Sequence, residues 1–318
     1  MTRQKWVSIL LLVVAGVLVF FALRAAPWSE IWAALQRLQS WQIAVFVLLN
    51  LAIFGLFSLR WWAILRILGY RVPYAQLTGY RLASFSVSYF TPGPHFGGEP
   101  LQVQWLRTRH KIPTSAALAS VTLDKLFELL ANFTFLVCGV LIVVGAGILP
   151  GTVRLPLIPI VVVLMLLPMF YLLALATGRT PLSRIIPQRG RWASAAALVR
   201  DAEAQSIQFL AGRTRVVFVI GAISLGVWFA MVAEYWLLLY FLDGRLTLIE
   251  TVSMLTAARI AILFPLPAGL GTLEASQVIA AQMVGLSPAL GVTVVLLIRA
   301  RDVTFGLVGL WWGGRYRW

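Results

Sequence analysis

A chain of 318 residues with 60% hydrophobic and only 12% charged side chains has too little polar surface to cover a water-soluble globule, and its mean hydropathy of +0.89 makes lipid its solvent. The net charge of +15, from 26 Lys and Arg against 11 Asp and Glu, lies mostly in short links between apolar segments, which is the positive-inside pattern rather than a nucleic-acid footprint. One cysteine, Cys138, excludes an intrachain disulfide and a thiolate metal site.

The first apolar stretch, 6–23, follows Arg3 and Lys5 and exceeds a signal-peptide core in length, so it reads as a retained transmembrane helix. Further stretches long enough to cross the hydrocarbon, about 20 residues each, lie at 41–59, 114–149, 156–176, 215–241 and 288–312. Two other apolar regions, 78–105 and 251–285, are broken by Pro and Gly: Pro92, Gly97 and Gly98 in one, Pro265, Pro267, Gly269 and Gly271 in the other. Each half is too short to span.

Let both broken regions be re-entrant and the N-terminus cytoplasmic. The cytoplasmic links then hold Arg3 and Lys5; Arg60, Arg66 and Arg71; Arg107, Arg109 and Lys111; seven arginines between 179 and 215; and Arg315 and Arg317. The outer links hold Arg24, Arg37, Arg154 and Arg245, so 17 basic residues face inward against 4 outward. Single crossings would place the Arg-rich link outside, against the rule. The expected fold is therefore an all-α polytopic membrane protein with six full transmembrane helices plus two re-entrant helical hairpins in an inverted-repeat arrangement. It forms a single integral domain over 1–318, with hairpin-plus-helix repeats at 78–149 and 251–312 and a cytoplasmic link carrying an amphipathic helix at 177–214. Both termini are expected in the cytoplasm and the location is the plasma (inner) membrane.

The two broken regions share a pattern. Arg81 precedes the first break and Arg259 the second, and Gly-Gly-Glu at 97–99 corresponds to Gly-Thr-Leu-Glu at 271–274. Beyond each glutamate the next span carries charge at the same separation, Asp124 after Glu99 and Arg299 after Glu274. Short Gly/Pro-interrupted segments at corresponding places in two halves point to a transporter-like central site.

Ionisable groups in hydrocarbon are costly and are functional candidates by default. Here they are Arg81, His95, Glu99, Asp124, Lys125, Glu128, Glu234, Arg259, Glu274, Arg299, Arg301 and Asp302. Lys125 with Glu128, and Arg299 with Asp302, are i,i+3 neighbours able to form simple pairs. Glu99 and Glu274 fall in the first turn of the second half-helices, where a carboxylate serves either as a local cap or as part of a site. With Arg81, Arg259, Arg299 and Arg301 nearby, these half-helix starts suggest an electropositive site for an anionic lipid group, the glutamates taking a proton or a cation. His95 and Glu99 supply two metal ligands at most, so no metal is expected. Ser84, Ser86 and Ser88 precede His95 without a nucleophile elbow, and no catalytic motif, P-loop or cofactor fingerprint is present. Trp6, Trp28, Trp41, Trp61, Trp62, Trp105, Trp311, Trp312 and Trp318 are expected as interfacial anchors. The link helix, with Arg191, Arg200, Asp201 and Glu203 amid Ala and Ile, is expected to lie on anionic headgroups.

The segments Phe90-Thr91-Pro92-Gly93-Pro94-His95-Phe96-Gly97-Gly98-Glu99-Pro100, Val121 to Glu128, Phe264 to Glu274 and Arg299-Ala300-Arg301-Asp302 together resemble the lysylphosphatidylglycerol synthase transmembrane family, also called the flippase-like domain family. The resemblance covers nearly the whole chain. It implies a membrane protein that moves or binds a lipid or lipid-linked substrate. In fused members such a region precedes a soluble aminoacyl transferase domain, which is not expected here, since the chain stops at Trp318. Gln102 stands where family members often carry a basic residue.

The leading expectation is a lipid translocase for an anionic phospholipid or lipid-linked substrate, with Arg81, Glu99, Asp124, Arg259, Glu274, Arg299, Arg301 and Asp302 at the transport site. The alternatives are a membrane enzyme with Glu99 or Asp124 as acid or base, and a non-transporting subunit of a lipid synthesis system. Partners are expected among membrane lipids, a second copy, or a separate lipid-modifying enzyme; no nucleic acid is expected.

Overall fold

Long charge-poor runs leave the backbone no water to bond with, so each satisfies its own N–H and C=O groups as helix. The computed structural model describes residues 28–90, 97–147, 151–211, 214–264 and 270–315, and among them every regular element is helical. In chain order these are α1 (Trp28–Gln36), α2 (Ser40–Ile67), α3 (Tyr74–Phe90), α4 (Glu99–His110), α5 (Thr114–Gly145), α6 (Gly151–Ala176), α7 (Pro181–Ile185), α8 (Ala193–Leu210), α9 (Thr214–Phe241), α10 (Leu248–Ile262), α11 (Thr272–Met283) and α12 (Pro288–Arg315).

Among the described residues, four helical stretches are long and apolar enough to cross a membrane: Ser40–Ile67, Thr114–Gly145, Leu157–Ala176 and Thr214–Phe241. They match four of the expected spans. The fifth, α12, has 28 residues, about 42 Å at 1.5 Å per residue, but Arg299, Arg301 and Asp302 sit near its middle. The expected span at 6–23 lies outside the described residues.

Helix α2 runs eight residues past the expected end at 59, which changes the reading of the residues there. Arg60 was expected in a cytoplasmic link; its side chain is instead 1% exposed, sealed by α5 and α9. Trp61 and Trp105 likewise do not anchor at an interface. Both are buried: the Trp61 indole donates to Ser120 Oγ at 3.3 Å, and Trp105 stacks on Tyr80 with ring centroids 5.2 Å apart. Trp41 and Trp311 do remain on the surface.

Both broken regions are interrupted in the described structure. Helix α3 ends at Phe90 and α4 starts at Glu99; α10 ends at Ile262 and α11 starts at Thr272. The intervening Pro92, His95, Pro265, Pro267 and Gly269 lie outside the described residues. Polar side chains join the halves. Ser84 Oγ donates to the Gly98 carbonyl at 2.7 Å and Gly98 N–H donates to Ser88 Oγ at 3.0 Å. In the second region Thr272 Oγ1 donates to the Ala261 carbonyl at 3.1 Å, and Gln277 Nε2 to the Met254 carbonyl at 3.1 Å. Each broken region then builds its own core. Trp61, Leu77, Tyr80, Leu106 and Ala117 fill the first, and Tyr235, Leu239, Met254, Ala281 and Val294 the second.

The two regions meet where α3 packs along α12. Glycine makes that approach possible. A Cβ at Gly309 would come within 2.3 Å of the Leu82 carbonyl, and one at Gly306 within 2.8 Å of the Phe90 ring. Small residues let membrane helices approach closely and gain dispersion contacts where no hydrophobic force acts between them.

The link between α6 and α9 is more than a surface helix. Glu203 on α8 is buried and accepts from Leu182 N–H at 2.9 Å, Ser183 N–H at 3.1 Å and Tyr171 Oη–H at 3.0 Å. It thereby caps α7 and ties the link to α6. The polar-face position expected for Glu203 is corrected by this capping role, since orphan N–H groups attract a carboxylate more strongly than water does.

Candidate functional site

The buried charges form two clusters, one beside each broken region. In the first, Arg60 Nε meets Asp124 Oδ1 at 2.7 Å and its Nη2 meets Glu128 Oε2 at 3.2 Å. Arg81 Nη2 bonds the second Asp124 oxygen, and its Nη1 donates to the Phe57 carbonyl. Lys125 Nζ lies 2.8 Å from Glu128 Oε1 and 3.5 Å from Glu99 Oε1. Glu99 Oε2 also accepts from Gly97 N–H at 2.9 Å. Helices α2, α3, α4 and α5 each contribute.

In the second cluster Arg299 Nε meets Glu274 Oε1 at 3.1 Å, while Glu274 Oε2 accepts from Gly271 N–H at 2.7 Å. Arg301 Nη1 donates to Glu234 Oε1 at 2.6 Å and to Asn50 Oδ1 at 2.9 Å, and its Nε donates to Asp302 Oδ1 at 2.9 Å. The Tyr89 hydroxyl from α3 hydrogen-bonds Arg299, so the first broken region reaches into the second cluster. Arg259 lies over the Trp228 ring at 5.1 Å with Nη2 3.6 Å from Met231 Sδ. Its Nε is buried and has no hydrogen-bond partner among the described residues.

A model of the lysylphosphatidylglycerol synthase TM region matches residues 7–309. The chain belongs to this family. No curated protein matches it significantly.

In this member of the lysylphosphatidylglycerol synthase TM family, the segments that carry the resemblance converge on the two clusters. Glu99, Asp124, Lys125 and Glu128 come from the first two segments, and Glu274, Arg299, Arg301 and Asp302 from the last two. The first cluster sets Arg60, Arg81 and Lys125 against Glu99, Asp124 and Glu128, and in the second Arg299 and Arg301 are held by Glu274, Glu234 and Asp302, while Arg259 bridges no carboxylate among the described residues. Most cations of the expected electropositive centre are thus matched by carboxylates. The reason is energetic, since a guanidinium out of water costs several kcal/mol unless matched.

Pairing also differs in detail. Arg299 bonds Glu274 rather than the i+3 neighbour Asp302, which Arg301 takes. Lys125 and Glu128 do pair, inside a larger network. The separation of 25 residues noted between Glu274 and Arg299 is a direct bridge. At the first break the partner of Glu99 is Lys125, one residue beyond the expected Asp124.

Sequence reasoning missed two participants. Arg60 and Asn50 sit on a helix that looks like an ordinary span, and Asn50 is a buried polar residue whose only signal was its place in an apolar run. Ser84 and Ser88, weighed as nucleophiles, are structural staples. Among the described residues no group of three His, Cys, Asp or Glu has metal-site geometry.

Proposed function

We propose that this protein translocates a phospholipid or lipid-linked phosphate across the plasma membrane, with the two broken regions acting as re-entrant hairpins of opposite orientation and both termini cytoplasmic. The observation that carries this reading is the repeated bridge from the start of a second half-helix to the next long helix, Glu99 to Lys125 at 3.5 Å and Glu274 to Arg299 at 3.1 Å. A glutamate so placed does two jobs. It bonds backbone at the start of its half-helix, Glu274 accepting from the N-cap Gly271 N–H and Glu99 from Gly97 N–H just before the N-cap, and it holds a cation that a lipid phosphate would equally attract.

Exchange of partners supplies the mechanism. A phosphate entering a cluster takes a cation from its glutamate, and the released carboxylate binds a proton or a cationic part of the headgroup. The hairpin is then freed from its long helix on one side while the other bridge stays shut. Such a swap shifts a two-state equilibrium through differential contacts, which is the requirement for alternating access. Arg259 adds a buried donor, its Nε unpartnered among the described residues, that phosphate is suited to fill. Membership of the lysylphosphatidylglycerol synthase TM family supports a role on membrane lipid.

Reconstituted liposomes test this. With headgroup-labelled lipids and an outside-only quencher, wild type accelerates flipping, and a Glu99→Gln/Glu274→Gln variant that still folds loses most of that acceleration. Wild type that is folded yet moves none of a broad phospholipid panel, with or without a proton gradient, would sink the proposal.

A further inference from the structure

The link between α6 and α9 joins two stretches long and apolar enough to span, Leu157–Ala176 and Thr214–Phe241, so it lies at one face of the bilayer. Within it, α8 is turned toward protein. Ala196, Ala202, Glu203, Ser206 and Phe209 are buried, Gln205 Nε2 donates to Ser115 Oγ at 3.0 Å, and Phe209 packs with Leu123, Leu172 and Ile220.

Helix α7 faces the other way. Leu182 is 44% exposed and Ile185, three residues on and along the same face, is 78% exposed; Trp192, at the N-cap of α8, is 50% exposed. A helix of five residues does not stand alone, and Glu203 fixes this one. Leu182 N–H and the Tyr171 hydroxyl donate to the same Glu203 oxygen, at 2.9 and 3.0 Å. Tyr171 stands five residues before the end of α6, about 7.5 Å in along a helix rising 1.5 Å per residue. The start of α7 is thus held beside the last turns of a spanning helix, and interfacial helices bury their apolar face about 5–10 Å deep. Charge adds a direction. Arg179, Arg184, Arg189 and Arg200 are exposed in the link against one exposed carboxylate, Asp201, and such an excess draws a surface segment onto anionic headgroups.

We infer that α7 is an interfacial anchor for an anionic leaflet: Leu182, Ile185 and Trp192 enter the boundary between headgroups and acyl chains, and Arg184 and Arg189 take lipid phosphates above them. The headgroup contact expected of α8 passes to α7, because α8 spends its apolar face on α5 and α6. The anchor does not rest on the translocase reading, and its immersion is measured without transport.

The test is spin-label accessibility on the full chain in lipid nanodiscs, in a Cys138→Ser background. The label is placed at Ile185→Cys or, as a water-facing control, at Ala204→Cys on the exposed side of α8. With phosphatidylglycerol present, the ratio of oxygen to water-soluble nickel-chelate collisions at 185 is expected to be about threefold or more above that at 204. It should fall by about half or more in phosphatidylcholine alone, or in an Arg184→Gln/Arg189→Gln variant. All the substituted link positions are exposed, so folding is preserved, and monodisperse elution checks it. A ratio at 185 no higher than at 204 would place α7 in water and leave its apolar face to a soluble partner, overturning the inference. Immersion that ignores both lipid charge and the two arginines would equally overturn it, since an anionic leaflet would then play no part.

Discussion

Arg60 on α2 and Asp124 on α5 meet at 2.7 Å with both side chains closed off from solvent, and Arg81 from α3 takes the other carboxylate oxygen. Three helices are thus tied by one aspartate. Breaking a buried pair strands a charge and costs about 3–5 kcal/mol. Arg60→Met should therefore lower thermal stability in detergent strongly. Arg37→Ala, which removes the exposed pair with Asp243 at 3.7 Å, should change it by no more than about 0.5 kcal/mol. Comparable losses for the two variants would contradict the buried-tie reading.

Gly309 tests the seam between α3 and α12. A methyl there would meet Ser86 Oγ at 2.0 Å and the Leu82 carbonyl at 2.3 Å, and backbone cannot move aside as a side chain can. Gly309→Ala should cost about 1–3 kcal/mol by overpacking. Gly314→Ala, five residues on with no atom within 4 Å of the new methyl, should be neutral or slightly stabilising through helix propensity. Differential scanning fluorimetry of the two variants decides.

Glu203 holds the Arg-rich link. Replacing it with Ala removes three hydrogen bonds to a charged acceptor, two of them from backbone N–H groups. Such bonds contribute about 1.5–3 kcal/mol each, and proteolysis follows the population of the open form. Trypsin should cut at Arg184 and Arg189, both exposed in the link, about tenfold faster or more in Glu203→Ala than in wild type. Unchanged cleavage would show that the link is held by α8 packing alone.

His110 gives a pH signature at the end of α4, outside the spanning segments. Its Nε2 lies 3.2 Å from the Tyr80 hydroxyl, and burial, then the neighbouring Arg109 charge, hold its imidazole below the ordinary value of 6.5. The unfolded chain therefore takes up the proton first as pH falls. The stability contribution is complete above about pH 6.5 and is lost progressively as pH falls through the lower folded-state value. His110→Gln should flatten the decline in Tm between about pH 7 and 5. An identical decline in the variant would assign the effect to another group.

Helix positions were largely legible, because a charge-free run of about 20 residues has few alternatives in lipid. The expected start at 114 agrees with Pro113 standing before α5, whereas the region expected from 251 begins at Leu248, where Thr247 and Glu250 form a capping box and Thr247 N–H donates to Glu250 at 2.8 Å. Helix ends set by tertiary contact were not legible. Arg60 and Trp61 look like the basic and aromatic flank of a span, and only the neighbouring Asp124 and Ser120 explain why the helix carries them inward.

The candidate site divides in the same way. That Glu99 and Glu274 begin second half-helices, and that charge recurs about 25 residues beyond each, follows from sequence because capping and spacing are local or periodic properties. Which cation each carboxylate holds is a different kind of fact. Glu274 takes Arg299 across two helices while the nearer Asp302 takes Arg301, and Asn50 joins from a position 251 residues away. Such choices depend on distances between helices, and in a low-dielectric interior a difference of an ångström or two outweighs any preference written along the chain.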